Sequence, residues 1–163
     1  MFIQYYTKSM TIALGKPAPD FTLENQEGEK ISLASLRGKN VVIYFYPKDS
    51  TPGCTQEACD FRDNIARLQS ADTVVLGISK DSAKSHTNFR TKYELPFDLL
   101  VDEGAKVCDL YGCWKEKSIY GKTFLGVERS TFLIDKEGIL RKEWRKVSVK
   151  GHVDSVLEAI AAL

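Results

Sequence analysis

The stretch Tyr44-Phe45-Tyr46-Pro47-Lys48-Asp49-Ser50-Thr51-Pro52-Gly53-Cys54-Thr55-Gln56-Glu57-Ala58-Cys59 decides the fold. An apolar, β-prone run from Asn40 to Tyr46 stops at Pro47, a short polar loop follows, and a helical pattern opens with a cysteine near its tip. Thr51 is a good N-cap residue, Pro52 suits the first helical position, and Gly53 leaves the backbone unshielded. Cys54 then falls in the first turn, where unpaired amides and the positive end of the helix dipole favour a thiolate. A strand that feeds a loop and a helix carrying such a thiol points to redox chemistry.

Working outward, Asp20-Phe21-Thr22-Leu23 and Lys30-Ile31-Ser32-Leu33 flank a turn at Gln26 to Glu29 and predict a β-hairpin. From Cys54 to Leu68 the apolar positions Ala58, Phe61, Ile65 and Leu68 recur every three or four residues, which predicts one amphipathic helix. Thr73 to Ile78 reads as a buried strand, Ser82 to Tyr93 as a polar helix, and Phe97 to Val101 as a short strand. Gly104 to Tyr111 reads as a short helix and Gly112 to Phe124 as a loop. Val127 to Ile134 and Ile139 to Trp144 read as strands joined by a turn at Asp135 to Gly138, and His152 to Leu163 as a closing helix. This order predicts an α/β fold, a mixed central sheet with helices on both faces and an N-terminal β-hairpin. The unit from Asn40 to Ile78 should be parallel and right-handed.

The 163 residues carry a net charge of +1, with 23 basic and 22 acidic residues interleaved along the chain. That balance points to neither a nucleic-acid nor an anionic-membrane partner, and no apolar run approaches the ~20 residues of a membrane span. Residues 1–9 read as an extension outside the core and residues 10–163 as a single domain. The extension lacks the basic start, apolar core and cleavage site of a secretory signal, so a cytoplasmic location is expected. In that setting the four cysteines, at 54, 59, 108 and 113, read as catalytic, metal-binding or buried thiols rather than staples.

Cys54 is the first candidate for chemistry; Asp49 and Glu57 nearby oppose a thiolate, so a further cation is expected from elsewhere in the chain. Cys59 lies five residues on in the same predicted helix, which sets the two Cα atoms about 8.6 Å apart. A disulfide needs less than about 7 Å, so a bond between them requires the first turns of the helix to unwind. Arg129 is placed within an otherwise apolar strand, where a guanidinium needs an anionic partner: a carboxylate such as Asp49 or Glu57, or a thiolate with its oxygen substrate. Cys108 and Cys113 repeat the five-residue step, so a four-thiolate zinc site in a structural domain stands as an alternative. Against it, Cys54 and Cys59 lie about 140° apart around a helix. A protein thiol–disulfide oxidoreductase is the other alternative, although two residues between cysteines is the spacing such enzymes use. His86 reads as solvated on a polar helix and His152 as a cap or an exposed residue. No glycine-rich phosphate loop is present, so no nucleotide cofactor is expected, and no metal is assigned.

With these residues in view, the chain resembles the peroxiredoxins of the bacterioferritin-comigratory, or Q, type. The resemblance runs from about Met10 to the final helix and is strongest at Tyr44 to Thr55. It continues through Glu57-Ala58-Cys59-Asp60-Phe61-Arg62-Asp63 and returns at Tyr120-Gly121-Lys122 and at Arg129-Ser130-Thr131-Phe132-Leu133-Ile134-Asp135. It implies a thioredoxin-like fold and thiol-dependent reduction of hydrogen peroxide and alkyl hydroperoxides. It further implies that Cys54 is the peroxidatic nucleophile, Pro47 its shield, Thr51 a hydrogen-bonding partner of the peroxide, and Arg129 the stabiliser of thiolate and O–O bond. Cys59 matches the resolving position of part of the family, with thioredoxin or another dithiol as reductant. Cys113 has no counterpart role in the family and competes as an alternative resolver. The resemblance implies a monomer.

Overall fold

The computed structural model describes residues 12–163; the extension at residues 1–9 lies outside the described residues. Seven strands form one sheet: β1 (Thr22–Glu24), β2 (Lys30–Ser32), β3 (Asn40–Phe45), β4 (Thr73–Ser79), β5 (Asp98–Val101), β8 (Ser130–Ile134) and β9 (Leu140–Trp144). Their spatial order is β2-β1-β5-β4-β3-β8-β9. The centre, β3, β4 and β5, is parallel, and β8, β9, β1 and β2 complete it in antiparallel fashion. The sequence-predicted N-terminal hairpin is therefore the β1–β2 edge, tied to the sheet by the Glu24–Val101 pair.

All six residues of β3 are buried, and alternation along the strand sorts them between two cores. Val41, Ile43 and Phe45 join Leu76, Ile78, Phe132, Tyr111, Cys108 and Cys113 on one face. Val42 and Tyr44, continued by Tyr46, join Val75, Leu99, Leu133, Cys54 and Phe61 on the other. Helices α1 (Pro52–Asp63), α2 (Ile65–Ser70), α3 (Ala83–Lys92) and α5 (His152–Ala161) contribute to that second core, whereas the short α4 (Lys106–Leu110) contributes to the first. The fold is thioredoxin-like, with helices on both faces of a mixed sheet, as expected.

Three local expectations are corrected. The helix predicted from Cys54 to Leu68 is broken at Asn64, whose φ/ψ of −111°/13° leaves the helical region and whose side chain donates to the Asp60 carbonyl at 2.8 Å. Residues assigned to a loop at 112–124 instead build a separate antiparallel hairpin, β6 (Trp114–Ile119) and β7 (Lys122–Val127). Its turn places Tyr120 and Gly121 at φ 51° and 78°, the two left-handed positions of a tight hairpin turn. As a result the strand predicted from Val127 to Ile134 is two strands, and Arg129 sits between them rather than inside one. There its carbonyl accepts from the Val147 amide at 2.9 Å.

Candidate active site

β3 delivers the chain to the loop at residues 47–51, and α1 starts directly behind it. Pro52 occupies the first turn of α1, and no acidic residue shares that turn. Thr51 holds the N-cap position, but its side chain does not cap the helix as predicted; its hydroxyl donates to the Lys48 carbonyl at 2.8 Å. Pro47 is exposed at the rim. Cys54 is 1% exposed, with its sulfur at the positive end of the helix.

The cation expected near Cys54 is Arg129. Its Nη2 donates to Cys54 Sγ at 3.4 Å and its Nη1 to Glu57 Oε1 at 2.7 Å, so the carboxylate and the thiol are both its partners. Two features leave it room. Arg129 lies in the break between β7 and β8, and Gly53 has no side chain: a Cβ there would come within 3.1 Å of Arg129 Nη2. Burial pushes the Glu57 carboxyl up to about 7, against the pull of Arg129 in the opposite direction. Among the described residues, neither Glu57 Oε2 nor the Tyr44 hydroxyl has a hydrogen-bond partner, and the Tyr44 ring stacks on Phe61 of α1 at 4.8 Å. Glu57 was read from the sequence both as an opponent of the thiolate and, with Asp49, as a possible partner of Arg129; the structure pairs Arg129 with Glu57, whose position one helical turn after Cys54 puts it on the same face.

Cys59 is half-buried on α1, and both cysteines of the helix are free thiols. Cys108 and Cys113 are free as well, but they lie in the core on the opposite face of the sheet from Cys54. That separation speaks against the four-thiolate alternative. Among the described residues, the one group of potential ligand atoms close enough to hold a metal is Asp49, Asp81 and His86, without a cysteine.

The two histidines are both corrected. His86 is fully buried rather than solvated, with Nδ1 2.7 Å from Asp49 Oδ2 and Nε2 2.8 Å from the Leu100 carbonyl. Its signal was its place three residues before Phe89, which puts both on the inward face of α3. His152 is also buried, paired with Thr131 Oγ1 at 2.8 Å. Burial, with a smaller push from Arg129, holds His152 down to about 4, so it is neutral near pH 7. Neither imidazole hydrogen-bonds a cysteine.

Comparison with known proteins fits this geometry. The model of the AhpC/TSA family matches residues 14–143. Peroxiredoxin Bcp of Bacillus subtilis is 52% identical over 151 residues, covering 93% of this chain and 96% of that protein. Peroxiredoxin Bcp of Escherichia coli is 44% identical over 143 residues, covering 88% and 92%. A solved structure of the Xanthomonas campestris bacterioferritin comigratory protein, a study of its alkyl peroxide reduction activity, superposes with a TM-score of 0.84. Its identity is 45%, over 87% of this chain and 90% of that one. No helix of the described residues is long and apolar enough to cross a membrane.

Proposed function

Because this chain belongs to the AhpC/TSA family and is a thiol-dependent peroxidase of the Bcp type, we propose that Cys54 is the sulfur its peroxide substrate oxidises. One observation carries this reading. Cys54 alone among the four cysteines combines a helix N-terminus with a guanidinium hydrogen-bonded to its sulfur.

Attack of the Cys54 thiolate on one oxygen of a hydroperoxide breaks the O–O bond. The sulfur becomes a sulfenic acid, and the departing oxygen leaves as water or alcohol once it takes a proton. Negative charge moves from sulfur to the leaving oxygen, and Arg129, hydrogen-bonded to the sulfur, is assigned to stabilise both ends of that shift. The Thr51 hydroxyl has committed its hydrogen to Lys48, so it offers only lone pairs, suited to accept from the O–H of the incoming hydroperoxide. Exposed Pro47 limits water at the mouth. Hydrogen peroxide and alkyl hydroperoxides share the group recognised here.

Cys59 then condenses with the sulfenic acid, forming a disulfide and releasing water. The pair cannot meet across an intact α1, so this step unwinds the first turns of the helix and pulls Cys54 out of the core. A dithiol such as thioredoxin reduces the bond by exchange through a mixed disulfide. We place the enzyme in the cytoplasm, where such dithiols are kept reduced, and assign it a monomeric working form.

The test is to treat the reduced protein with one equivalent of hydrogen peroxide and map its disulfides by peptide mass spectrometry. A stoichiometric 54–59 bond is expected. Four unreacted thiols would end the reading, and a bond from Cys54 to any other cysteine would remove Cys59 as resolver.

A further inference from the structure

Asp49 is the one fully buried residue of the loop at residues 47–51: Pro47, Lys48 and Ser50 are exposed and Thr51 is half-buried. Its carboxylate reaches inward and is fully engaged. Oδ1 accepts from the Tyr46 hydroxyl at 2.6 Å, while Oδ2 accepts from the Ser85 hydroxyl at 2.9 Å and faces His86 Nδ1 at 2.7 Å. Its backbone amide donates to Asp81 Oδ2 at 2.9 Å, and that same oxygen accepts from the Ser79 hydroxyl at 2.6 Å. The loop is thereby tied to Tyr46 just beyond β3, to α3 and to the end of β4. The ties hold a conformation with a cost of its own, since Ser50 sits at φ 63°, a left-handed position unfavourable for a side chain.

The hydrogen count in this network is fixed by its acceptors. The Leu100 carbonyl can only accept, so His86 Nε2 carries a hydrogen. Nδ1 and Oδ2, 2.7 Å apart in a site fully closed to water, would repel as bare lone pairs, so a second hydrogen lies between them. Whether it is drawn on the imidazole or the carboxyl, one proton is shared by the pair. The other titratable groups facing it are Asp81 from the β4–α3 connection, Tyr46 just beyond β3, and Tyr44 of β3. Asp49, Asp81 and His86 also lie within the spacing of metal ligands, but the pairing atoms of Asp49 and His86 are already filled by hydrogens.

We propose that Asp49 and His86 are positioning residues for the peroxide step, and that the proton they share locks the loop so that the Thr51 hydroxyl is held at the lip of the Cys54 site. The linkage is short. Thr51 donates to the carbonyl of Lys48, the residue before Asp49, so any slackening at Asp49 moves the hydroxyl's anchor. Displacement of a positioning group by about an ångström costs on the order of 10²-fold in rate. The inference rests on the assignment of Cys54 and Thr51 made above.

Two reagents separate this role from a merely structural one. Iodoacetamide alkylates the Cys54 thiolate without needing an acceptor for a peroxide hydrogen, whereas hydrogen peroxide needs one. Both rates are measured at Cys54, by peptide mass spectrometry, in the wild type, Asp49→Ala and His86→Phe. The expected result is a peroxide rate about tenfold or more below wild type, with alkylation within about threefold. Asp49→Asn should restore most of the peroxide rate, because its amide can donate to a neutral Nδ1 and its oxygen can still accept from Tyr46. If Asp49→Ala fails to fold, His86→Phe against Asp49→Asn gives the same comparison. Two unchanged rates, two rates falling together, or no recovery in Asp49→Asn would each overturn the proposal. A wild-type Cys54 inert to peroxide would overturn the assignment of the nucleophile and this inference with it; a reactive wild type without the split overturns the inference alone.

Discussion

Cys54 and Cys59 on one face of the sheet, and Cys108 and Cys113 on the other, share the same five-position step, and in both pairs the first cysteine is buried within a helix. Their surroundings are opposite in sign. Around Cys54 the start of α1 carries no acidic residue and the Arg129 guanidinium donates to the sulfur. Around Cys108 the helix start is occupied by the buried Asp102 carboxylate, which accepts from the amides of Val107 at 3.2 Å and Cys108 at 2.8 Å. The hydrogen bond with Cys113, then burial, and then the nearby Asp102 charge push the Cys108 thiol well up. Cys113 spends its own hydrogen on the Cys108 carbonyl at 3.3 Å. Spacing made the two pairs look alike; the charge set beside each sulfur distinguishes them, because only a thiolate attacks peroxide.

The strongest way to break this comparison is to exchange the pairs' fates by mutation. Cys54→Ser should abolish peroxide consumption in the presence of excess dithiol, since the serine hydroxyl is not ionised near neutral pH. Cys108→Ser and Cys113→Ser should each leave it within about twofold, the range expected of a group outside the reacting set. Loss of turnover in either of the latter variants would show that the far face takes part.

Much of the contrast was readable in the residues themselves. The strand ending at Pro47, the Thr51-Pro52-Gly53 helix start and the hairpin at Thr22 to Ser32 are local patterns, set by backbone preferences within a few positions. What was missed depended on contacts between distant segments. Arg129 was picked out as a cation needing an anion, but its dual pairing with Glu57 and Cys54 exists only because β8 lies beside β3 and Gly53 clears the way. The β6–β7 hairpin was hidden by its composition: its strands are mostly exposed, and a tyrosine fills a turn position where asparagine or glycine is the usual signal. His86 looked solvated because α3 is polar overall, and its buried polar contact comes from Asp49, thirty-seven residues earlier, whose Oδ2 lies 2.7 Å from Nδ1.

A second sharpening uses pH, because the Cys54 face contains a buried carboxyl that titrates near neutrality. Burial raises Glu57 from 4.5 to about 7 in the folded chain. A raised carboxyl favours the fold while it is protonated, so its contribution is complete below about pH 4.5 and is lost as pH rises through about 7. At roughly 1.4 kcal/mol per pKa unit the loss is about 3 kcal/mol. His152 has the reverse sign: held down to about 4, it favours the fold above its ordinary value of 6.5 and loses that contribution as pH falls through about 4. The test is therefore the difference between wild type and Glu57→Gln in urea unfolding from pH 4.5 to 8. The variant should lack the decline in stability toward high pH; parallel curves would mean that Glu57 carries no such strain.

The smallest expected effect falls on the quiet pair. The Cys113 thiol donates to the Cys108 carbonyl in a core closed to water and also hydrogen-bonds the Cys108 thiol. Cys113→Ala removes that donor and a buried sulfur, and should cost about 1–2 kcal/mol of stability for an unpaired buried acceptor and the space left behind. The loss of the acceptor's partner is only partial, because the Cys108 carbonyl keeps its bond from the Cys113 amide at 2.9 Å, and this argues for the lower end of that range. Cys113→Ser supplies a better donor but exchanges an apolar sulfur for a hydroxyl, so its unfolding midpoint should lie between those of the alanine variant and the wild type. If hydrogen bonding rather than packing dominates, the serine variant sits near wild type; if packing dominates, it sits with alanine. In both variants the rate of Cys54 with peroxide should stay at the wild-type value. A stability change without a rate change is the behaviour expected of thiols whose work is confined to their own side of the sheet.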